Sequence, residues 1–430
     1  MERFSLLFFT RYPRAGEVKT RLHPALGPAG AALVHRALSE RALLAARRFT
    51  AFPGRRLKVY GSGADFREMG RWLGFDLVYR RQADGDLGRR LAAALRAELA
   101  NGAEAAIVIG SDCPELTAAI LEKAAAELAA GADLVLGPAR DGGYYLLGLR
   151  QPRDGLFQDI PWGGAEVAAR TLARAAAENL RVRLLPLLAD VDRPADLALW
   201  QRLARPRISV VIPVLDEASI LPATLAALQL EKCPGVVEVL VVDGGSRDQS
   251  AELAAVAGGR VLHSAPGRGR QLNAGARAAR GAVLFFLHAD TRIEISAYDE
   301  ILSRLRRPGV VLGAFSLAIA APGLRFRLLE KMIALRCRWL RLPYGDQGFF
   351  IRREDFFTCG GFREIPLLED LDFLRRARRR GRLALSRQTV LTSARRWQRR
   401  GFWRTTLLNQ LILLGAFLGL PPSWLKKLYR

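Results

Sequence analysis

The residues best placed to do chemistry are carboxylates that follow short apolar runs. Phe285-Phe286-Leu287-His288-Ala289-Asp290-Thr291 closes on such an acid, and Leu368-Glu369-Asp370-Leu371-Asp372 offers three more. Moving a group off a diphosphate needs at least two acidic stations. One carboxylate holds a divalent cation against the leaving oxygens, and another takes the proton of the attacking hydroxyl. By themselves the acids at 369–372 fit a helix start with acids in its first turn equally well.

Two earlier strand ends repeat the form. Ser209-Val210-Val211-Ile212-Pro213-Val214-Leu215-Asp216-Glu217 and Val239-Leu240-Val241-Val242-Asp243-Gly244-Gly245 each place an acid where a strand gives way to a loop. An acid there can accept hydrogen bonds from a ribose or a base edge, and glycines let a ligand approach the backbone. Ordinary turn chemistry explains either stretch alone. Gly267-Arg268-Gly269-Arg270-Gln271-Leu272-Asn273-Ala274-Gly275 follows, a glycine-rich basic loop leading into a helix. Its guanidinium forks and amides suit a diphosphate, and a solvated turn is the plainer alternative.

The N-terminal half has its own series. Arg14, Lys19 and Arg21 follow the first strand, then come Gly110-Ser111-Asp112-Cys113, Asp141-Gly142-Gly143-Tyr144-Tyr145 and Asp190-Val191-Asp192. The cations suit a di- or triphosphate, and Asp112 with Asp190 or Asp192 could clamp a divalent cation.

In order and spacing, the residues from Asp216 to Trp397 resemble the family-2 glycosyltransferases, inverting enzymes of GT-A fold, over about Ile208 to Gly401. The resemblance implies that Asp216, Glu217 and Asp243 cradle a nucleoside and that Arg268, Arg270 and Asn273 serve the donor. Asp290 becomes the surviving acid of a metal motif whose first acid is here His288. Asp370, with Glu369 beside it, supplies the base, and Arg396 and Trp397 lie near the donor diphosphate. Gly345-Asp346-Gln347-Gly348 with Arg395-Arg396-Trp397 looks closest to the arsenosugar-biosynthesis glycosyltransferases, which implies Asp346 and Gln347 near donor sugar or acceptor. A tight turn is the alternative for that tetrapeptide. The N-terminal series, over Arg3 to about Leu203, resembles a bacterial family of unknown function related to GT-A-like nucleotidyltransferases. That implies a nucleotide-binding domain, catalytic or degenerate.

Apolar runs at Leu6–Phe9, Leu57–Tyr60, Ala106–Ile109, Leu134–Leu136, Ser209–Ile212, Val237–Val242 and Val283–Leu287 alternate with Ala- and Leu-rich helical stretches. Such alternation predicts an α/β class. With the resemblance it implies two tandem GT-A-like (Rossmann-like, mostly parallel sheet) domains at 1–204 and 205–401, the boundary set at Arg205-Pro206-Arg207, and a basic, apolar helical tail at 402–430. The 430-residue length agrees with more than one core.

The expected activity is transfer of a sugar from a nucleotide-sugar donor to a hydroxyl acceptor with Mg²⁺ or Mn²⁺, and a bifunctional enzyme if the N-terminal domain also turns over. The acceptor could be a lipid. The net charge of +24 invites a nucleic-acid partner, yet the chain has no basic motif interleaved with aromatics, so no nucleic acid is expected. Fifteen Lys or Arg and no Asp or Glu lie between Phe373 and Arg430, a block that calls for an anionic neighbour. Within it, Leu407–Leu420 is too short to span a bilayer. It suits an interfacial helix on an anionic membrane, with Trp403 and Trp424 at the boundary and Lys426 and Lys427 near head groups, or a helix docked on the transferase core or on a second subunit. The six-residue run Phe4–Phe9 is too short for a secretory segment, and the four cysteines lack metal-ligand spacing, so a cytoplasmic protein with reduced thiols is expected.

Overall fold

The computed structural model describes residues 3–418 and 420–429; Met1, Glu2, Gly419 and Arg430 lie outside the described residues, as do the side chains of Lys426 and Lys427. The chain divides into two compact units, Met1–Ala204 and Arg205–Arg430.

The first unit holds β1 (Phe4–Arg11), β2 (Arg55–Ser62), β3 (Val78–Arg81), β4 (Ala105–Ile109), β5 (Leu134–Pro138), β6 (Tyr144–Leu149) and β7 (Val182–Leu184). They pair in the order β3-β2-β1-β4-β6-β5-β7, with β6 antiparallel to both β4 and β5. β1 is a continuous apolar run because both its faces are covered. Leu6 and Phe8 pack with helices His23–Phe49 and Ala118–Ala129, while Leu7 and Phe9 pack with Leu87–Ala100 on the other side.

The second unit holds β8 (Ile208–Val214), β9 (Val237–Asp243), β10 (Arg260–His263), β11 (Val283–Phe286), β12 (Thr291–Arg292), β13 (Val310–Ala320), β14 (Phe349–Arg352) and β15 (Arg382–Ser393). Their order is β10-β9-β8-β11-β14-β13-β15-β12. Without the two-residue β12, this is the order of the first sheet, and β14, like β6, runs against both neighbours. Gly313 of β13 exists for that strand: a Cβ there would stand 2.0 Å from the Phe350 ring.

The order reverses direction between β8 and β11, and in open α/β sheets ligands bind beyond the carboxyl ends of the strands at such a point. The antiparallel strand brings a further loop to the same edge. Because Phe286 pairs with Phe349, the chain entering β14 lies beside the chain leaving β11. In the first unit Ile109 pairs with Leu146, and the chain entering β6 lies beside the end of β4. Among the described residues, no helix is long and apolar enough to cross a membrane.

Candidate active site

Three acids meet at the carboxyl edge of the second sheet. Asp290 follows β11, Asp346 sits in the turn Gly345–Gln347 ahead of β14, and Asp370 opens the helix Glu369–Arg378. Asp370 Oδ2 accepts the Gly345 N–H at 2.8 Å, and Oδ1 accepts that of Leu371 at 2.8 Å. A Cβ at Gly345 would press on Asp370, 3.2 Å from its Cβ and from Oδ2, and touch His288 Nε2 at 3.5 Å. Burial pushes the Asp346 carboxyl up to about 6, with the like charges of Asp370 and Asp290 adding to it and Arg336 and Arg268 opposing. Asp346 Oδ1 is buried without a hydrogen-bond partner. Burial, reinforced by Arg268, holds the His288 imidazole well below the usual histidine range, so its ring is neutral at pH 7.

These groups open on a cavity of about 630 Å³. Arg268, His288, Asp290, Asp346, Glu369 and Asp370 line one side, and Arg395, Arg396, Trp397, Arg399 and Arg400 another. A second cavity of about 180 Å³ shares Arg268, His288 and Asp290 and reaches Glu217 and Gln271 below β8. Asp290, with Arg268 and His288, therefore stands where a small polar space meets the larger one that holds Asp346 and Asp370. Arg268 Nη1 is 3.6 Å from Glu369 Oε1; burial, aided by Asp370 and opposed by Arg268, raises the Glu369 carboxyl above its ordinary range. Among the described residues no three His, Cys, Asp or Glu stand close enough to cage a metal alone. The oxygens of Asp290 and the orphaned Asp346 nonetheless fit a hard cation that takes its remaining ligands from water and substrate phosphate.

The other sequence-derived candidates separate into distinct roles. Asp216 and Asp243 tie two strand ends together. The Arg247 N–H reaches Asp216 Oδ1 at 2.7 Å, and Ser246 Oγ donates to Asp243 Oδ1 at 2.5 Å. Burial works against the charge on Asp243, and donors from Ser246 and Gly245 outweigh it, holding the carboxyl below its usual range. Glu217 Oε2 accepts from Arg395 Nη2 at 2.7 Å, linking the β8 end to the arginine rim. Arg270 pairs with Glu364 on the exterior.

Two candidates bond within the protein. Asn273 donates to Phe362 O at 2.8 Å and accepts the Phe362 N–H at 2.9 Å, so its amide pins a backbone segment. Gln347 is buried; its amide donates to Phe315 O at 2.8 Å, and its carbonyl accepts from Tyr344 N at 3.2 Å and Arg336 Nη2 at 3.1 Å. Their polar groups are engaged within the protein, which leaves little for a donor. The expected basic loop is also helical already from Arg268, in the helix Arg268–Ala278. Gly275 lets that helix lie on β8, since a Cβ would stand 2.3 Å from Val211. Sequence reasoning missed Gln271, which donates to both Val214 O and Val242 O at 2.8 Å. It also missed Arg336, whose guanidinium covers the Tyr344 ring at 3.6 Å. Gln271 lies within the quoted motif and could have been weighed; nothing marks Arg336 in so basic a chain.

In the first unit, Asp112, Asp141, Asp190 and Asp192 gather near the ends of β4 and β6. The cation between Asp112 and Asp192 is a side chain: Lys19 Nζ lies 2.9 Å from Asp112 and 3.5 Å from Asp192. Burial disfavours the Lys19 ammonium, and the acids, Asp112 foremost, outweigh it and raise its pKa. Arg21 holds Asp192 at 2.6 Å. Burial and Asp141 raise the Asp190 carboxyl. Arg14 is drawn away to Glu17 at 3.3 Å. Arg21 is the exposed cation at these acids, and the Lys19 side chain is buried between them. For a divalent cation to be clamped by Asp112 and Asp192, Lys19 would have to move.

Residues 209–365 match the profile of Glycosyl transferase family 2. The C-terminal half resembles the family-2 glycosyltransferases. Residues 45–164 match a family described as an uncharacterized protein conserved in bacteria. A PGL/p-HBAD biosynthesis glycosyltransferase of Mycobacterium bovis is 36% identical over 95 residues, 20% of this chain and 37% of that one. An uncharacterized Mycobacterium tuberculosis protein is 28% identical over 196 residues, 40% of this chain and 61% of its own. The chain spans 26%, 61% and 37% of the length of three curated relatives. Among solved structures, a candidate nucleotide-diphospho-sugar transferase of Desulfovibrio desulfuricans is 31% identical, with a TM-score of 0.43, over 47% of this chain and 87% of that one. The family-2 segment takes in Asp216, Asp243, Asp290 and Asp346 and ends ahead of Asp370.

Proposed function

We propose that the second unit is a glycosyltransferase that moves a sugar from a nucleotide-sugar donor to a hydroxyl acceptor. The observation that carries this is the gathering of Asp290, Asp346 and Asp370 in the larger cavity, with Asp290 shared by the smaller one. In this reading the smaller space below β8 receives the nucleoside side of the donor, and Arg268 and Arg396 draw its diphosphate to the acids. Asp290, with Asp346 and His288 beside it, would hold a Mg²⁺ or Mn²⁺ ion, which when bound neutralises charge building on the leaving diphosphate. Asp370 accepts the proton of the acceptor hydroxyl as its oxygen bonds to the anomeric carbon and the bond from that carbon to the diphosphate breaks. The Gly345 N–H aims Asp370 Oδ2 and leaves Asp370 a second lone-pair direction for that proton. The rim of Arg395, Arg396, Arg399 and Arg400 compensates the anionic donor and excludes a purely apolar ligand. On this view the protein works in the cytoplasm, with its tail at the inner face of the cell membrane.

The first unit is proposed as a nucleotidyltransferase-like partner that meets a nucleotide through the exposed Arg21, with Lys19 held between Asp112 and Asp192 behind it. Thermal-shift titration with nucleoside diphosphates and nucleotide-sugars, with and without Mn²⁺ or Mg²⁺, tests the donor assignment. A ligand at a hundred times its Kd stabilises by about 2.7 kcal/mol. Absence of any metal-dependent shift across all nucleobases would remove the donor class.

A further inference from the structure

Two helices of the second unit turn apolar residues away from its core. In Leu324–Leu340, Phe326, Leu329 and Cys337 are buried, while Leu324, Leu328, Met332, Leu335 and Trp339 are exposed. In Phe402–Phe417, Thr405 and Ile412 are buried, while Trp403, Leu407, Leu411 and Leu414 are exposed, with Leu418 just beyond the helix end. Both stripes step by four, four, three and four residues, which is one face of an α-helix. Exposure is high along both, 85% at Leu324 and 75% at Trp339, 77% at Trp403 and 62% at Leu407, so both faces are open among the described residues. The helices adjoin, since the Phe326 ring meets the Phe402 ring edge-on at 5.3 Å and the Arg325 guanidinium lies 5.6 Å from the Phe402 ring centre.

Charge selects the occupant. Leu324–Leu340 carries Arg325, Arg327, Lys331 and Arg338, with Arg336 turned inward onto Gln347 and Tyr344, against one acid, Glu330, which bonds to Arg327 and to the Ile319 N–H. The helix Phe402–Phe417 has no acid and carries the exposed Arg404 beside Trp403, and no acid follows Phe373 in the chain. A second copy of the chain would bring the same cations to the contact. An anionic bilayer takes up both features, its acyl boundary receiving the stripes and its head groups Arg325, Lys331, Arg338 and Arg404.

We propose that Leu324–Leu340 and Phe402–Phe417 together form a docking face for an anionic phospholipid bilayer. This extends the membrane side of the functional proposal to a second helix, and it rests on the surface rather than on transfer chemistry. The inner side of the tail helix supplies Asn409, Ile412 and Leu413 to the wall of the cavity that holds Asp370. The docked helix is thus also part of the acid-bearing site.

The test is co-sedimentation of the full chain with vesicles of phosphatidylglycerol and phosphatidylcholine, and with phosphatidylcholine alone, at low and high salt. Two variants accompany it, Leu328→Glu with Met332→Glu and Leu407→Glu with Leu411→Glu, each checked for wild-type circular dichroism. The chain should prefer anionic vesicles by at least about tenfold, and each variant should lose about tenfold or more of that partition. The proposal falls if the wild type stays in the supernatant or binds phosphatidylcholine vesicles equally well, or if either variant binds as it does. It falls equally if the variants convert a dimer to a monomer with vesicle binding unchanged, since the stripes would then serve self-association. None of these outcomes depends on transferase activity.

Discussion

Asn273→Ala separates a structural role from a donor-binding role at one position. The Asn273 amide closes a two-bond ring with the backbone of Phe362, at 2.8 and 2.9 Å. Phe362 is buried, its ring packed on Phe286 at 4.9 Å and Phe373 at 4.6 Å, so water replaces the lost partners poorly. Two hydrogen bonds at about 1 kcal/mol each give a loss of about 2 kcal/mol. For a unit of this size that lowers the midpoint of thermal unfolding by about 4–8 °C. Differential scanning calorimetry of the full chain, with unfolding of the second unit followed separately, reads the shift. Donor affinity at a temperature where the variant is folded should stay within about threefold of wild type. An unchanged midpoint with donor binding lost would refute this reasoning and return Asn273 to the donor.

Two further outcomes follow from the acids. Asp290→Ala should weaken donor binding in the presence of Mn²⁺ by about tenfold or more, about 1.4 kcal/mol, and leave metal-free binding nearly unchanged; calorimetric titration with and without chelator distinguishes these. In the first unit, a working nucleotidyltransferase should release pyrophosphate from a nucleoside triphosphate and a sugar phosphate, and Asp112→Asn should abolish that release; if the unit only binds nucleotide, wild type and variant will both release none.

The architecture was legible where buried parallel strands write themselves as uninterrupted apolar runs, as at Leu6–Phe9 and Val237–Val242. β3 and β10 were not, because edge strands such as Val78–Arg81 and Arg260–His263 are half polar. β6 and β14 escaped for another reason. Each follows a turn already singled out for its chemistry, Asp141-Gly142-Gly143 and Gly345-Asp346-Gln347, and nothing local says that the next strand runs backward. That antiparallel strand is what sets Asp346 beside Asp290, a proximity that sequence spacing does not encode. The type of a residue also hides its loyalty. Gln347 and Asn273 look like ligand-binding amides, and only the fold shows them engaged with Phe315 and Phe362. Lys19 looks like a phosphate-binding cation, and only the fold places it between Asp112 and Asp192. The helix Leu324–Leu340 went unremarked because its leucines and arginines resemble those of the rest of the chain.

The central claim is that Asp370 takes the proton of the acceptor. Asp370→Asn keeps an oxygen able to accept the Gly345 N–H, so the turn that carries Asp346 has a reason to stay in place. Single-turnover transfer from the donor identified by thermal shift, measured beside calorimetric donor affinity, tests it directly. Transfer should fall by about 10²–10⁴-fold with donor affinity nearly intact. Transfer at the wild-type rate in the Asp370→Asn enzyme would contradict the account.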